Sequence, residues 1–229
     1  MVFDHKKSTV NKFDEAMMTS LKKALEALGQ MPNLKGVLVT AAKDSFMVGA
    51  DINSFKRAIE NKEAPNLIRD LTNVLHPLLM KIRTSPKIVI AAINGAAVGI
   101  GATMTLAMDI RIASKKSKFA FPFARRGIVF DGAASFFLPK LVGYSKANEW
   151  ILKGNIMMAQ ELLEGGLISE ICEPEDVLTR SLELARDIAV NCSPTSVSNN
   201  KKLLRQSMLG KGPFDLHMIE SEMLSEAFS

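Results

Sequence analysis

The chain has 229 residues, 47% apolar and 23% charged, which suits a globular protein with one good-sized core and room for a small helical appendage. It holds no run of about 18 apolar residues, and Met1 to Lys12 lacks the apolar stretch of a signal peptide, so no membrane span is expected and the cytoplasm is the expected compartment. Cys172 and Cys192 lie far apart and His5, His76 and His217 are scattered, which argues against a zinc site or disulfide framework; the formal charge of +5 and pI near 9.2 suit an anionic ligand, but the basic residues are dispersed and one Trp and one Tyr offer little base stacking, so no nucleic acid is expected.

In chain order, "MVF" reads as a short strand. Phe13, Met17, Leu21, Ala24, Leu25 and Leu28 then fall at helical spacing and predict a helix over 13–28. "GVLVT" (Gly36 to Thr40) and "KIVIAAI" (Lys87 to Ile93) are β-branched apolar runs bounded by turn signals, which predicts buried strands. Between them, Ser54 to Pro65 reads as a polar mobile loop, followed by an amphipathic helix from about Asn66 to Arg83. "DIRIAS" and "KFAFP" read as further strands, with Phe119, Phe121 and Phe123 on one face of the second. Beyond Gly132 the pattern is helical over 133–141, 145–153, 159–164, 174–190, 194–209 and 214–228, with "LISEIC" as a strand-like interruption and Gly210 to Pro213 as a hinge. Alternation early and helices late predict an α/β core over 1–190 and a C-terminal helical region over 191–229. No internal repeat is evident.

Two glycine segments follow strands: "FMVGADI" and "NGAAVGIGATMTLAMDI". Glycines at 95, 99 and 101 permit positive φ and close approach to a ligand, and a helix starting near Val98 leaves its first amides unpaired. Met104 stands where a dinucleotide fingerprint needs its last glycine, and there is no GxxxxGK[ST] phosphate loop. Taken alone, such a glycine pair reads better as plain turns and close packing than as a ligand site.

In order, "SFMVGADI", "KIVIAAINGAAVGIGATMTLAMDIRIAS", "FAFPFARRGIVFDGAASFFLPKLVG" and "AQELLEGGLISEIC" resemble the signature segments of the crotonase, or enoyl-CoA hydratase/isomerase, family. "STVNKFDEAMMTSLKKALE" resembles that family's first helix and its lead-in. The resemblance implies a spiral of ββα units with a helical C-terminal trimerisation region, an acyl-CoA thioester as partner, and a homotrimer or hexamer. It implies no separate cofactor, coenzyme A arriving as part of the substrate. It also assigns an oxyanion hole to the N–H groups of Ala50 and Ile100, with Met47, Gly49, Asp51, Gly101, Phe123 and Phe130 as substrate-binding candidates. The chain starts late and stops early against the family pattern.

The positions of the two hydratase glutamates fall here on Thr103 and Phe123, neither of which transfers a proton as a carboxylate does. Asp131 falls where the enoyl-CoA isomerases of the family carry their acid, and a double-bond shift needs one carboxylate that removes a proton and returns it. Burial raises the pKa of such a group, while a helix N-terminus lowers it. Asp131 also reads as an N-cap for a helix starting at Gly132. Asp51 reads as a cap or a loop-orienting group near CoA, and Asp109, Glu161 and Glu164 as structural. Other chemistry remains open: a nucleophilic Asp131 as in the family's dehalogenases, which carry Trp at the place of Phe123; ring-modifying isomerases; hydration; or a non-catalytic acyl-CoA-binding scaffold.

Overall fold

The computed structural model describes residues 1–6 and 8–227. In chain order the elements are β1 (Val2–Phe3), α1 (Glu15–Gly29), β2 (Gly36–Ala41), β3 (Ser45–Met47), α2 (Ile52–Glu60), α3 (Ala64–Thr84), β4 (Ile88–Ile93), β5 (Ala96–Val98), α4 (Ile100–Thr103), β6 (Ile110–Ser114), β7 (Lys118–Ala120), α5 (Ala134–Val142), α6 (Tyr144–Lys153), β8 (Ile156–Met158), α7 (Ala159–Glu164), β9 (Glu170–Cys172), α8 (Val177–Asn191), α9 (Pro194–Met208) and α10 (Pro213–Ala227). Single 3-10 turns cover Met104–Ala107 and Ala124–Arg126.

Strands arrive in consecutive pairs, β2 with β3, β4 with β5 and β6 with β7. The first of each pair joins a sheet ordered β1-β2-β4-β6-β9 and the second a sheet ordered β3-β5-β7-β8. Every neighbouring pair is parallel apart from β7 and β8. Helix follows each strand pair, so the ββα unit repeats in space and stacks into the α/β, crotonase-like spiral, although no repeat can be read in the sequence.

All six residues of β4 are buried, at the centre of its sheet and beneath α8, which is why "IVIAAI" shows no polar alternation. The α1 helix starts at Asp14, whose carboxylate accepts the Met17 N–H at 2.9 Å, and it buries Met17, Met18 and Leu21. The α3 helix buries Leu75, Leu78, Leu79 and Ile82 at helical spacing, each contributing about 1.5–3 kcal/mol through its removal from water.

Several expectations are corrected. Residues 54–65 form no loop of their own: most lie in α2, where buried Ala58 and half-buried Phe55 give the helix an inner face against α3 despite its polar composition. The helix expected near Val98 starts at Ile100, because Ala96–Val98 is recruited as β5. "KFAFP" stays a strand only to Ala120, so Phe123 lies beyond it, at the head of a 3-10 turn; Pro122 has no N–H for a ladder. Of "LISEIC" only Glu170–Cys172 is strand, and β8 has no counterpart in the sequence reading. The helix expected from Pro174 begins at Val177, and Phe228, where the last helix was expected to end, lies outside the described residues.

Ser193 caps α9, accepting the Ser196 N–H, and Lys201 ties that helix to the sheets by reaching Asp109 and the Lys87 carbonyl, both at 2.6 Å. Asp109 also accepts the Val89 N–H at 2.7 Å, the structural role read for it. The α10 helix packs on α9 and leaves Phe214, Met218 and Leu224 exposed. Among the described residues no helix is long and apolar enough to cross a membrane.

Candidate active site

Parallel pairing of β3 with β5 sets Met47 beside Ala97. Three residues beyond each partner stand Ala50 and Ile100, and each follows a glycine of positive φ, Gly49 at +98° and Gly99 at +56°, a conformation that strains any L side chain. The turns touch: a Cβ on Gly49 would lie 3.1 Å from the Val98 carbonyl oxygen, and one on Gly99 would lie 4.0 Å from the Gly49 Cα. Gly101 presses α4 onto β3 so tightly that a Cβ there would stand 2.0 Å from the Met47 carbonyl oxygen. Among the described residues, the N–H groups of Val48, Asp51, Gly99, Ala102 and Thr103 donate backbone bonds in these turns, but those of Ala50 and Ile100 do not. Ile100 opens α4, where first-turn amides have no intrahelical partner. Two unengaged amides at matching register positions are candidates for an oxyanion hole, whose donors must converge on one oxygen.

The Ala50 turn is held by a strap that sequence reading missed. Asn11 is fully buried; its Nδ2 donates to the Ser45 carbonyl at 3.0 Å and its own carbonyl accepts the Val48 N–H at 2.8 Å. Phe13 donates to the Gly49 carbonyl at 2.8 Å and accepts the Asp51 N–H at 3.3 Å. Lys12 Nζ stands 3.2 Å from the Asp51 carboxylate, which also accepts the Ser54 hydroxyl at 2.9 Å. Burial works to raise the Asp51 pKa, but the hydrogen bonds from Ser54 and Lys12 and the Lys12 charge hold it below the ordinary value. In the sequence the strap is only Val10-Asn11-Lys12-Phe13, whose polar Asn11 and Lys12 carry no pattern that marks them as supports of the turn.

Asp131 meets the last residue of α4. Thr103, fully buried, donates its hydroxyl to Asp131 Oδ1 at 2.6 Å. Burial pushes the Asp131 carboxyl above its ordinary value, with the Thr103 hydroxyl and its own N–H opposing. The helix-cap reading of Asp131 is corrected: α5 begins at Ala134, its N-cap is Ala133 in the left-handed region, and the Asp131 side chain bonds Thr103 in place of the α5 amides.

Phe123 packs with the core and lies over the second turn, its Cζ 4.0 Å from where a Gly99 Cβ would stand, while Phe130 is partly buried against the same core. Met47 has no exposed surface, so it forms the wall behind the turn and offers a ligand no surface in this structure. Asp51 occupies the N-cap position of α2. Glu161 accepts the Trp150 indole N–H at 3.1 Å, a structural bond. Arg111, buried, donates to the carbonyls of Leu167, Thr105 and Met108 and fixes the end of the 3-10 turn behind α4; burial pushes its pKa down to about 10. A cleft of about 280 Å³ beside Lys35, Lys87 and Cys192 includes none of these site residues.

The family model described as enoyl-CoA hydratase/isomerase matches residues 2–229. Enoyl-CoA hydratase ACTT3 of Alternaria alternata is 39% identical over 209 residues, 91% of this chain and 68% of that protein. The fatty acid oxidation complex subunit alpha of Pseudomonas putida is 34% identical over 185 residues, 80% of this chain but 26% of that much longer protein. A crystal structure of an enoyl-CoA hydratase/isomerase from Mycobacterium abscessus superposes with a TM-score of 0.91 at 30% identity, over 100% of this chain and 86% of that one.

Proposed function

The chain belongs to the enoyl-CoA hydratase/isomerase family, and from that premise we propose that it converts 3-enoyl-CoA into 2-enoyl-CoA with Asp131 as its single proton shuttle. The observation that carries this reading is the partly buried Asp131 carboxylate bonded to Thr103. No second carboxylate stands at the positions, Thr103 and Phe123, where the resemblance puts the hydratase glutamates.

In this reading Asp131 takes a proton from C2 of the acyl chain. The C2–H electron pair moves into the C1–C2 bond, and charge builds on the thioester oxygen, where the Ala50 and Ile100 amides stabilise it. Protonated Asp131 then gives its proton to C4; the C3=C4 bond is lost, C2=C3 forms, and no water is added. A pKa raised by burial helps the second step, because the acid form is the donor. Phe123 and Phe130 line the acyl pocket and keep water out, Gly49 and Gly101 let the two amide-bearing turns pack closely on each other and on β3, with Met47 behind them, and Asp51 steadies the first turn. Coenzyme A enters only as part of the substrate. The proposal extends to a cytoplasmic homotrimer or hexamer in which residues 191–229 form the trimerisation arm on a 1–190 core, supported by the exposed apolar side chains of α9 and α10; sedimentation as a monomer at micromolar concentration would count against it.

Hydration is the second reading, supported by the likeness to the enoyl-CoA hydratase of Alternaria alternata. Incubation with 3-hexenoyl-CoA, followed by absorbance of the conjugated product, and with 2-hexenoyl-CoA, followed for loss of conjugation, separates the two. Conjugation without water addition is the expected result, and D131N is expected to lower turnover by about 10²–10⁴-fold while thioester binding survives. Water addition to the 2-enoyl substrate would overturn the isomerase reading.

A further inference from the structure

We propose that Thr103 is a positioning residue: its hydroxyl occupies Oδ1 of Asp131 and so reserves Oδ2 as the one oxygen that both takes and returns the substrate proton. The inference rests on the isomerase reading. An ionised carboxylate only accepts hydrogen bonds, so Thr103 is the donor in the 2.6 Å contact. That hydroxyl has little freedom to turn away, since Thr103 is fully buried and Gly132 packs against it, where a Cβ would lie 2.8 Å from Oγ1 and 3.0 Å from Cβ of Thr103. Thr103 also closes the short helix that Ile100 opens. One element therefore carries the oxyanion amide at its first residue and the carboxylate's anchor at its last, which fixes the distance between base and oxyanion without any contact from Thr103 to the substrate.

Charged groups on the surrounding elements make other contacts or are exposed. Arg83 of α3 lies 5.6 Å from the centre of the Phe137 ring, Lys140 of α5 lies 4.9 Å from that of Phe136, and Arg125 donates to the Lys153 carbonyl. Lys81 is exposed on α3 and Arg126 is exposed on the 3-10 turn. Among the described residues Asp131 has no ion-pair partner. The hydroxyl is thus the side-chain contact that favours the charged form, and its removal raises the carboxyl pKa.

The test compares wild type, T103V, which keeps the shape and removes the donor, and T103S, which keeps the donor. In T103V, kcat for 3-hexenoyl-CoA is expected to fall roughly tenfold or more with KM within about twofold, as loss of one charge-assisted bond implies. The ascending limb of its kcat/KM–pH profile moves to higher pH, and T103S restores both. The readout independent of turnover is the ¹³C titration of the Asp131 carboxyl in the substrate-free protein: it moves to higher pH in T103V and back in T103S. Should the enzyme turn over no 3-enoyl thioester, that titration still decides the Thr103 contact, so the two failures are distinguishable. An unmoved titration in T103V, or T103S behaving as T103V does, overturns the proposal. If T103V loses its cooperative melt, T103A carries the same comparison.

Discussion

Around Ile100 the supports are core: the Gly99 N–H bonds the Ala120 carbonyl at 2.9 Å, Gly101 abuts the Met47 backbone, and every residue of α4 is buried. Around Ala50 the supports are borrowed from a segment far back in the chain, Asn11 to Phe13, with an ion pair at its solvent side. Two turns with the same register and the same glycine-before-amide pattern are therefore anchored by different physics. The second shares the cooperative stability of the core; the first depends on a few hydrogen bonds that can be cut one at a time.

Gly101→Ala breaks the core-anchored turn and is expected to have the largest effect. Its Cβ would stand 2.0 Å from a backbone oxygen, so α4 must leave β3, at a cost of roughly 3 kcal/mol or more; urea melts would show it, and a melt within error of wild type would mean the core yields more readily than its packing suggests. Asn11→Ala comes next. It leaves buried Ser45 carbonyl without its Nδ2 donor and is expected to cost about 1–3 kcal/mol, with kcat falling further than the melt alone explains because the Ala50 amide loses its aim. Equal losses in the two variants would erase the distinction between the turns.

Lys12→Ala is the mildest probe, at about 1 kcal/mol or less for a partly exposed pair. Its effect has a sign in pH. Because the folded-state Asp51 pKa is depressed, the stabilisation is fully present above the ordinary carboxylate value and is lost as pH falls through the depressed one. The gap between wild type and K12A in thermal melts should therefore be open at neutral pH and close in acid. A gap that widened in acid would assign the Asp51 shift to something other than Lys12.

Long, β-branched β2 and β4 and the apolar stripes of α1 and α3 were legible because each repeats its pattern over enough residues to define a period. Of the five three-residue strands, β7 and β9 sit inside longer strand-like runs, whereas β3, β5 and β8 define no period of their own, and β3 and β5 read in the sequence as parts of glycine turns. Polar composition hid α2, whose inner face rests on only Phe55 and Ala58. For the site, the resemblance supplied Ala50, Ile100 and Asp131 as candidates, and the structure brings Ala50 and Ile100 to matching turns. What no local pattern could supply was the Thr103–Asp131 bond, which joins residues 28 apart, or the strap at Asn11, which reaches across 34. Both contacts exist only once the ββα units have stacked.

The pairing of Met47 with Ala97 also sets where the chain tolerates a change of length. Between each of these residues and the amide that follows lies a spacer of two, Val48–Gly49 on one side and Val98–Gly99 on the other. A residue inserted in either spacer moves one amide out of step with its counterpart, whereas the link at 30–35 between α1 and β2, remote from both, can lengthen without touching that registration. In directed evolution by insertion and deletion, these two spacers are the segments to leave at their present length.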